Sequence, residues 1–384
     1  MTFPRIFKTV KQSSKAAVES ELFFMSSFKT IRNFCLVLFE EGYITEYELI
    51  ILYKAYKSRN PELPFKNYEP FCLDNLSEDE CKVEFRANKD DLIFLQQNLR
   101  IPEIVKCPQR TTCSGLEGLC ILLNRLAYPC RFSYMIGRFG RPVPELCMIA
   151  NTIIDFIYNY HKRKVTEWNH DLLSPENLQV YANVIHEKGA PYENCFGFID
   201  GTVRPISRPT KHQRIVYNGH KRVHSLKFQG VALPNGLIAH IFGPVEGKKH
   251  DAGMLADSNF FQDLEQNAFS VDGRPLCIYG DPAYPQRIHL QAPFRHGVIT
   301  DRMKEFNKQI SSVRVSVEWL FGDEINSFRF MDFKKNLKIG LSSVGKAYIV
   351  CALLRNSLTC MYGNITSKFF QLDPPTLENY FITN

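Results

Sequence analysis

Three acidic side chains sit in settings where an α/β enzyme mounts chemistry. Asp200 closes the apolar run Cys195-Phe196-Gly197-Phe198-Ile199 and is followed at once by Gly201-Thr202. Asp281 closes Leu276-Cys277-Ile278-Tyr279-Gly280, and Glu318 lies inside Val317-Glu318-Trp319-Leu320-Phe321-Gly322. Each of the two apolar runs reads as a buried strand whose terminal carboxylate is left at the rim, held in place by the sheet. Carboxylates gathered in one place suit a hard divalent cation such as magnesium, which keeps waters and substrate phosphates as its other ligands. Two such ions about 3.5–4 Å apart activate an attacking oxygen and stabilise a leaving one, the chemistry that cuts or joins a phosphodiester. The expectation is that Asp200, Asp281 and Glu318 meet in space, act as catalytic and metal-holding residues, and repel one another until metal is present.

Each acid alone has a plainer reading. Asp281 precedes Pro282 and suits a turn, Glu318 suits a surface charge, and Asp200 suits a cap on the turn through Gly201-Thr202. Asp251, in His250-Asp251-Ala252-Gly253, begins a helical pattern and is read as its N-cap ahead of a metal ligand. His250 is read as structural or substrate-facing. Arg314 stands four residues before Glu318 on one apolar-striped helix (Phe306, Ile310, Val313, Val317), so the two share a side.

The elements that must position these residues begin near 194. Extended runs at 195–200, 223–233 and 237–242, a turn at Pro234-Asn235-Gly236, a helix from Asp251, and a further strand at 276–281 predict a mixed α/β sheet. Three antiparallel strands followed by a helical crossing to another strand open a ribonuclease-H-like fold. Helices are expected near Glu318 and over 343–358. Residues 86–165 read as all helical. Ser114-x-x-Glu117 forms a capping box, and a short helix, the Gly140 turn and a second helix, with Arg138 and Arg141 at the junction, fit a helix-turn-helix. An ordinary three-helix packing unit has the same pattern. Residues 166–193 are a helical connector with Ser174 as N-cap and Pro175 in the first turn. Residues 1–85 read as a poorly defined helical or partly disordered appendage, 194–363 as the catalytic domain and 364–384 as a tail.

Charge narrows the substrate. The net charge of +7 on 384 residues is modest, but residues 201–230 hold seven Lys or Arg and no acid. Arg204, Arg208, Lys211, Arg214, Lys221, Arg222 and Lys227 thus form a strip beside Asp200, read as contacts to DNA phosphates. The twelve cysteines never form Cys-x-x-Cys, which suits reduced thiols over a disulfide or zinc framework. No apolar run is long enough for a membrane span and no signal-peptide core precedes a cleavage site, so the chain is expected inside the cell, without a membrane partner.

In combination and in this order, Phe198-Ile199-Asp200-Gly201-Thr202, Gly247-x-x-His250-Asp251, Tyr279-Gly280-Asp281-Pro282-Ala283-Tyr284-Pro285 and Arg314-x-x-Val317-Glu318-Trp319-Leu320-Phe321-Gly322 resemble the PIF/Harbinger transposases over roughly residues 86–360. The resemblance implies a ribonuclease-H-like DDE endonuclease core with its triad at Asp200, Asp281 and Glu318. It further implies magnesium or manganese, cleavage and transfer of double-stranded DNA at the terminal repeats of a mobile element, and action in the nucleus. Family members often work with a separate Myb-like DNA-binding protein, and the handling of two DNA ends implies a homodimer. Two classes of function follow: a metal-dependent nuclease or transposase, or a domesticated, non-catalytic DNA- or chromatin-binding protein. A core of this fold acting on RNA is a third.

Overall fold

The computed structural model describes residues 28–56, 63–295, 297 and 299–382. The chain divides into two units, Met1–Pro64 and Phe65–Asn384. In the first, helices α1 (Phe28–Glu40) and α2 (Glu46–Tyr56) pack as a hairpin around Ile31, Phe34, Cys35 and Leu38. The second unit begins about twenty residues earlier than the expected boundary at 85. The reason is aromatic packing: Phe71 meets Phe85 edge-on and Phe139 at a tilt, which closes that unit's core.

The second unit opens with α3 (Glu78–Phe85) and α4 (Lys89–Asn98), then strands β1 (Ile104–Lys106) and β2 (Thr112–Ser114). Helices α5 (Gly115–Ala127), α6 (Phe132–Phe139), α7 (Val143–His161) and α8 (Pro175–Glu187) follow. The small antiparallel β1–β2 ribbon corrects the all-helical reading of 86–165. Ser174 caps α8 by accepting from the Asn177 amide, as expected. Ser114 caps α5 in the same way, but the box is not reciprocal: the Glu117 carboxylate is taken by Arg141 at 2.5 and 2.9 Å.

The central sheet contains β3 (Cys195–Pro205), β4 (Tyr217–Asn218), β5 (Val223–Ala232), β6 (Ile238–Glu246), β7 (Cys277–Tyr279) and β8 (Leu290–Gln291). Strand order is β4-β5-β3-β7-β8, with β6 also pairing β5. The β3–β5, β4–β5 and β5–β6 pairs are antiparallel, whereas β3–β7 and β7–β8 are parallel. Helices α9 (Asp251–Asp257) and α10 (Phe260–Asn267) lead into β7. The chain ends with α11 (Asp301–Ser327), α12 (Val344–Tyr362), α13 (Ile365–Phe370) and α14 (Leu377–Phe381).

Strand alternation sorts the side chains by face. Asp200, Thr202 and Arg204 share one face with Phe228 and Gly230 across the β3–β5 register. Helices α11 and α12 cover this face. Phe228 meets Tyr348 at 4.1 Å between ring centroids, and the Phe321 ring lies 2.5 Å from where a Cβ on Gly230 would be. The opposite face takes α9 and α10, with the His240 and Phe260 rings 4.2 Å apart.

One core runs from the helical region through the sheet to the C-terminus. The expected tail from 364 belongs to it: Tyr380 and Phe381 are buried, and the Asn356 amide donates to the Tyr380 hydroxyl at 2.9 Å. Among the described residues, no helix is long and apolar enough to cross a membrane.

A buried polar knot joins β3 to α11 and α12. Tyr348 donates to Glu324 Oε2 at 2.9 Å, and the Arg204 guanidinium lies 5.2 Å above the Tyr348 ring. Burial pushes the Glu324 carboxyl up to about 7, against the pull of Arg204, the Tyr348 hydroxyl and Arg355. A carboxyl whose folded value is raised contributes stability that is full below its unfolded value near 4.5 and is lost as pH rises through about 7. Glu324→Gln should therefore flatten the decline in stability between pH 4.5 and 7.5, by up to about 3 kcal/mol. Urea unfolding at pH 5 and pH 8 measures it, and an unchanged decline refutes it.

Candidate active site

The site begins with a register. Phe198 of β3 pairs in parallel with Tyr279 of β7, and Asp200 and Asp281 each lie two residues further on. β7 stays paired with β8 as far as Gly280, whose amide donates to Gln291 O at 2.9 Å, and a Cβ on Gly280 would lie 3.0 Å from Ile199 on the other face, so the pleat turns Asp281 to the face of Asp200. Asp200 is not the strand end that the sequence suggests. β3 runs on to Pro205, and it is β7 that stops, leaving the β3 edge open from Asp200 onward.

Backbone amides orient both carboxylates. Asp200 Oδ1 accepts from the Gly201 amide at 2.8 Å, and Asp281 Oδ1 accepts from the Ala283 amide at 3.0 Å. The turn-forming role read for Asp281 is therefore real, and it leaves the second oxygen of each carboxylate for other partners. Burial raises the Asp200 carboxyl to about 6. Arg314 and the Gly201 amide oppose that rise, while the charges of Asp281 and Asp251 add to it.

α11 supplies the third acid. Thr300 caps it by accepting from the Met303 amide, and Ile310, Val313, Val317, Leu320 and Phe321 form its buried stripe. Arg314 Nη2 donates to Glu318 Oε1 at 3.0 Å, while Nη1 lies 3.6 Å from Asp200 Oδ2. The arginine side chain is four-fifths buried, and its Nη1 has no hydrogen-bond partner. Glu318 remains 56% exposed. The guanidinium thus stands between two acids expected to share metal.

Among the described residues, no three Asp, Glu, His or Cys side chains are placed to hold a metal ion together. The expected triad resolves into a pair, Asp200 and Asp281, and a third acid held one guanidinium away. Two carboxylates with waters still fit magnesium or manganese, which take few protein oxygens. The buried Nη1, 3.6 Å from Asp200 Oδ2 and without a hydrogen-bond partner, is a donor still open to an acceptor such as a water or a phosphate oxygen.

Asp251 belongs to the other face. The helix N-cap is His250, and Asp251 is the first helical residue, which corrects its reading as the cap. Its carboxylate lies against Gly201, where a Cβ would be 2.3 Å from Oδ1, and it is paired with Lys227 at 2.7 Å. Gln229 donates to the Asp251 carbonyl and also meets the Tyr284 hydroxyl. His250 is exposed at the helix entry. The sequence reading missed Lys227, Gln229 and Tyr284 as the setting of Asp251; the two-residue spacing of Lys227 and Gln229 in a strand was the available signal.

The basic strip divides. Arg208, Lys211, Arg214, Lys221 and Arg222 are exposed. Arg204 is buried and donates to Thr202 at 2.5 Å, and Lys227 is buried against Asp251, so neither is presented to a phosphate. The helix-turn-helix candidate offers little cationic surface. Arg138 is paired with Glu80 and Glu84, Arg141 with Glu117 and Glu145, and α7 carries no Lys or Arg.

Removing the guanidinium tests its role as a stand-in for cation charge. Arg314→Gln should lower stability in EDTA by about 1 kcal/mol, between the values of exposed and buried pairs. Added manganese should then restore more stability than it gives the wild type. Thermal melts with and without metal read both effects; a variant that melts like wild type in EDTA contradicts them.

No curated protein and no solved structure matches the chain. A family model does: residues 199–356, from Ile199 on β3 to Asn356 on α12, match the DDE superfamily endonuclease, a family generally dependent on divalent metal. That span contains Asp200, Asp251, Asp281, Arg314 and Glu318, and the match supports a DDE-type, transposase-like nuclease.

Proposed function

We propose that the second unit is a divalent-metal-dependent DNA endonuclease of the DDE transposase kind, of PIF/Harbinger type. The observation that carries this is the placement of Asp200 and Asp281 at matching positions on one sheet face, under the helix bearing Arg314 and Glu318. The sheet supports a ribonuclease-H-like core: β3, β5 and β6 are successive antiparallel strands, and β7 and β8 continue parallel to β3. The match to an endonuclease family does not favour the non-catalytic alternative.

When bound, magnesium or manganese supplies Lewis-acid activation of a water or hydroxyl and neutralises charge on the phosphoryl oxygens. The chain's own residues do the rest. Asp200 and Asp281 would hold the ion, each steered by the backbone amide on its Oδ1. Arg314 offsets Asp200 and Glu318 until substrate arrives, and its guanidinium suits a phosphate oxygen once a carboxylate is released. A two-ion arrangement requires Glu318 to leave Arg314. The exposed arginines and lysines of 208–222 attract the polyanion. This reading carries with it nuclear action on double-stranded DNA such as terminal repeats, a homodimer to handle two ends, and a Myb-like partner.

Supercoiled plasmid with magnesium or manganese tests the activity. Wild type should nick it, and Asp281→Asn should do so at least about a hundredfold less, because loss of even an outer-shell metal partner costs up to that much. Equal nicking by both proteins overturns the assignment.

A further inference from the structure

The exposed half of the basic strip does not stand alone. β3 ends at Pro205, and two residues later the chain is tied to a segment more than a hundred positions away. The Ser207 amide donates to Leu337 O at 2.9 Å, and its hydroxyl donates to Lys334 O at 3.0 Å and Lys335 O at 3.3 Å. Leu337 is buried and pins the segment from below. Residues 333–342 contain Lys334, Lys335 and Lys338 and no acid. All three lysines are exposed, and none pairs with a carboxylate among the described residues.

We propose that this segment and the exposed cations of 208–222 form one platform that grips the phosphate backbone of duplex DNA away from the cleaved bond. The proposal rests on the nuclease reading above and adds a second point of attachment to it. Cations brought together by backbone hydrogen bonds, with Asp332 at their edge and in no ion pair with them, repel one another and favour a polyanion that can neutralise several at once. Distance gives the platform its place. From Asp200 to Pro205 the strand advances five residues, about 17 Å at ~3.3 Å per residue. Phosphates along one strand of a duplex recur about every 3.4 Å, so the platform begins about five base pairs from the site. β3 acts as the spacer, because the same strand carries Asp200 and delivers Ser207 to the lysine segment.

Binding of a fluorescent duplex without metal, followed by anisotropy over 50–200 mM salt, tests this separately from cleavage. The combined variant Lys334→Ala, Lys335→Ala, Lys338→Ala should bind at least about tenfold more weakly at 0.1 M salt. Its log–log salt slope should be shallower by about two to three, near 0.9 for each phosphate that is no longer neutralised. The corresponding Lys→Arg combination should recover the wild-type slope, which separates missing charge from damaged folding. A triple variant with wild-type affinity and slope overturns the platform, as does a weakening that appears with single-stranded RNA and not with duplex DNA. If the triple variant shows the expected weakening while wild type never nicks plasmid, the nuclease reading fails and the platform stands.

Discussion

The parallel pairing of Phe198 with Tyr279 forces Asp200 and Asp281 onto one sheet face, where their charges oppose each other. Burial adds to the cost of ionising Asp200. Much of the surrounding structure answers this constraint. Backbone amides hold one oxygen of each carboxylate, and Arg314 reaches down from α11 to set positive charge beside Asp200 while holding Glu318. That guanidinium is the positive charge set against both Asp200 and Glu318.

Holding α11 over the sheet is a packing task. Phe321 needs the missing side chain of Gly230, which lies opposite Asp200 in the β3–β5 register. One turn of helix separates Glu318 from that contact, so the close approach of helix and sheet sets where Arg314 and Glu318 stand. The Arg204–Tyr348–Glu324 knot braces the same strand and helix further along, in a buried setting where each polar group depends on the next. From C-terminal of α12, Thr366 donates to the Ser316 carbonyl and Phe369 meets Trp319 edge-on, so α13 secures the helix from its far side.

Much of this was legible in the sequence because it depends on local pattern. The apolar runs before Asp200 and Asp281 give strands, the stripe through Ile310, Val313 and Val317 gives α11, and the four-residue spacing of Arg314 and Glu318 gives their ion pair. What was not legible depends on which face a residue takes and what lies across from it. Asp251 looked like a cap beside the other acids, but the sheet separates it from them and Lys227 neutralises it. Arg204 and Lys227 looked like two more cations in an exposed strip, and alternation turned both inward. The length of β3 past Asp200, and the joining of Ser207 to Lys334, arise from tertiary packing that no short window contains.

The central claim is that Asp200 and Asp281 hold metal together and that Asp251 does not. Manganese binding to the purified protein, followed by electron paramagnetic resonance without DNA, tests it most directly. Asp200→Asn and Asp281→Asn should each abolish tight binding, while Asp251→Asn, altered on the other face of the sheet, should retain it. Loss of binding in Asp251→Asn equal to that in the other two, or unchanged binding in Asp200→Asn and Asp281→Asn, would contradict the account.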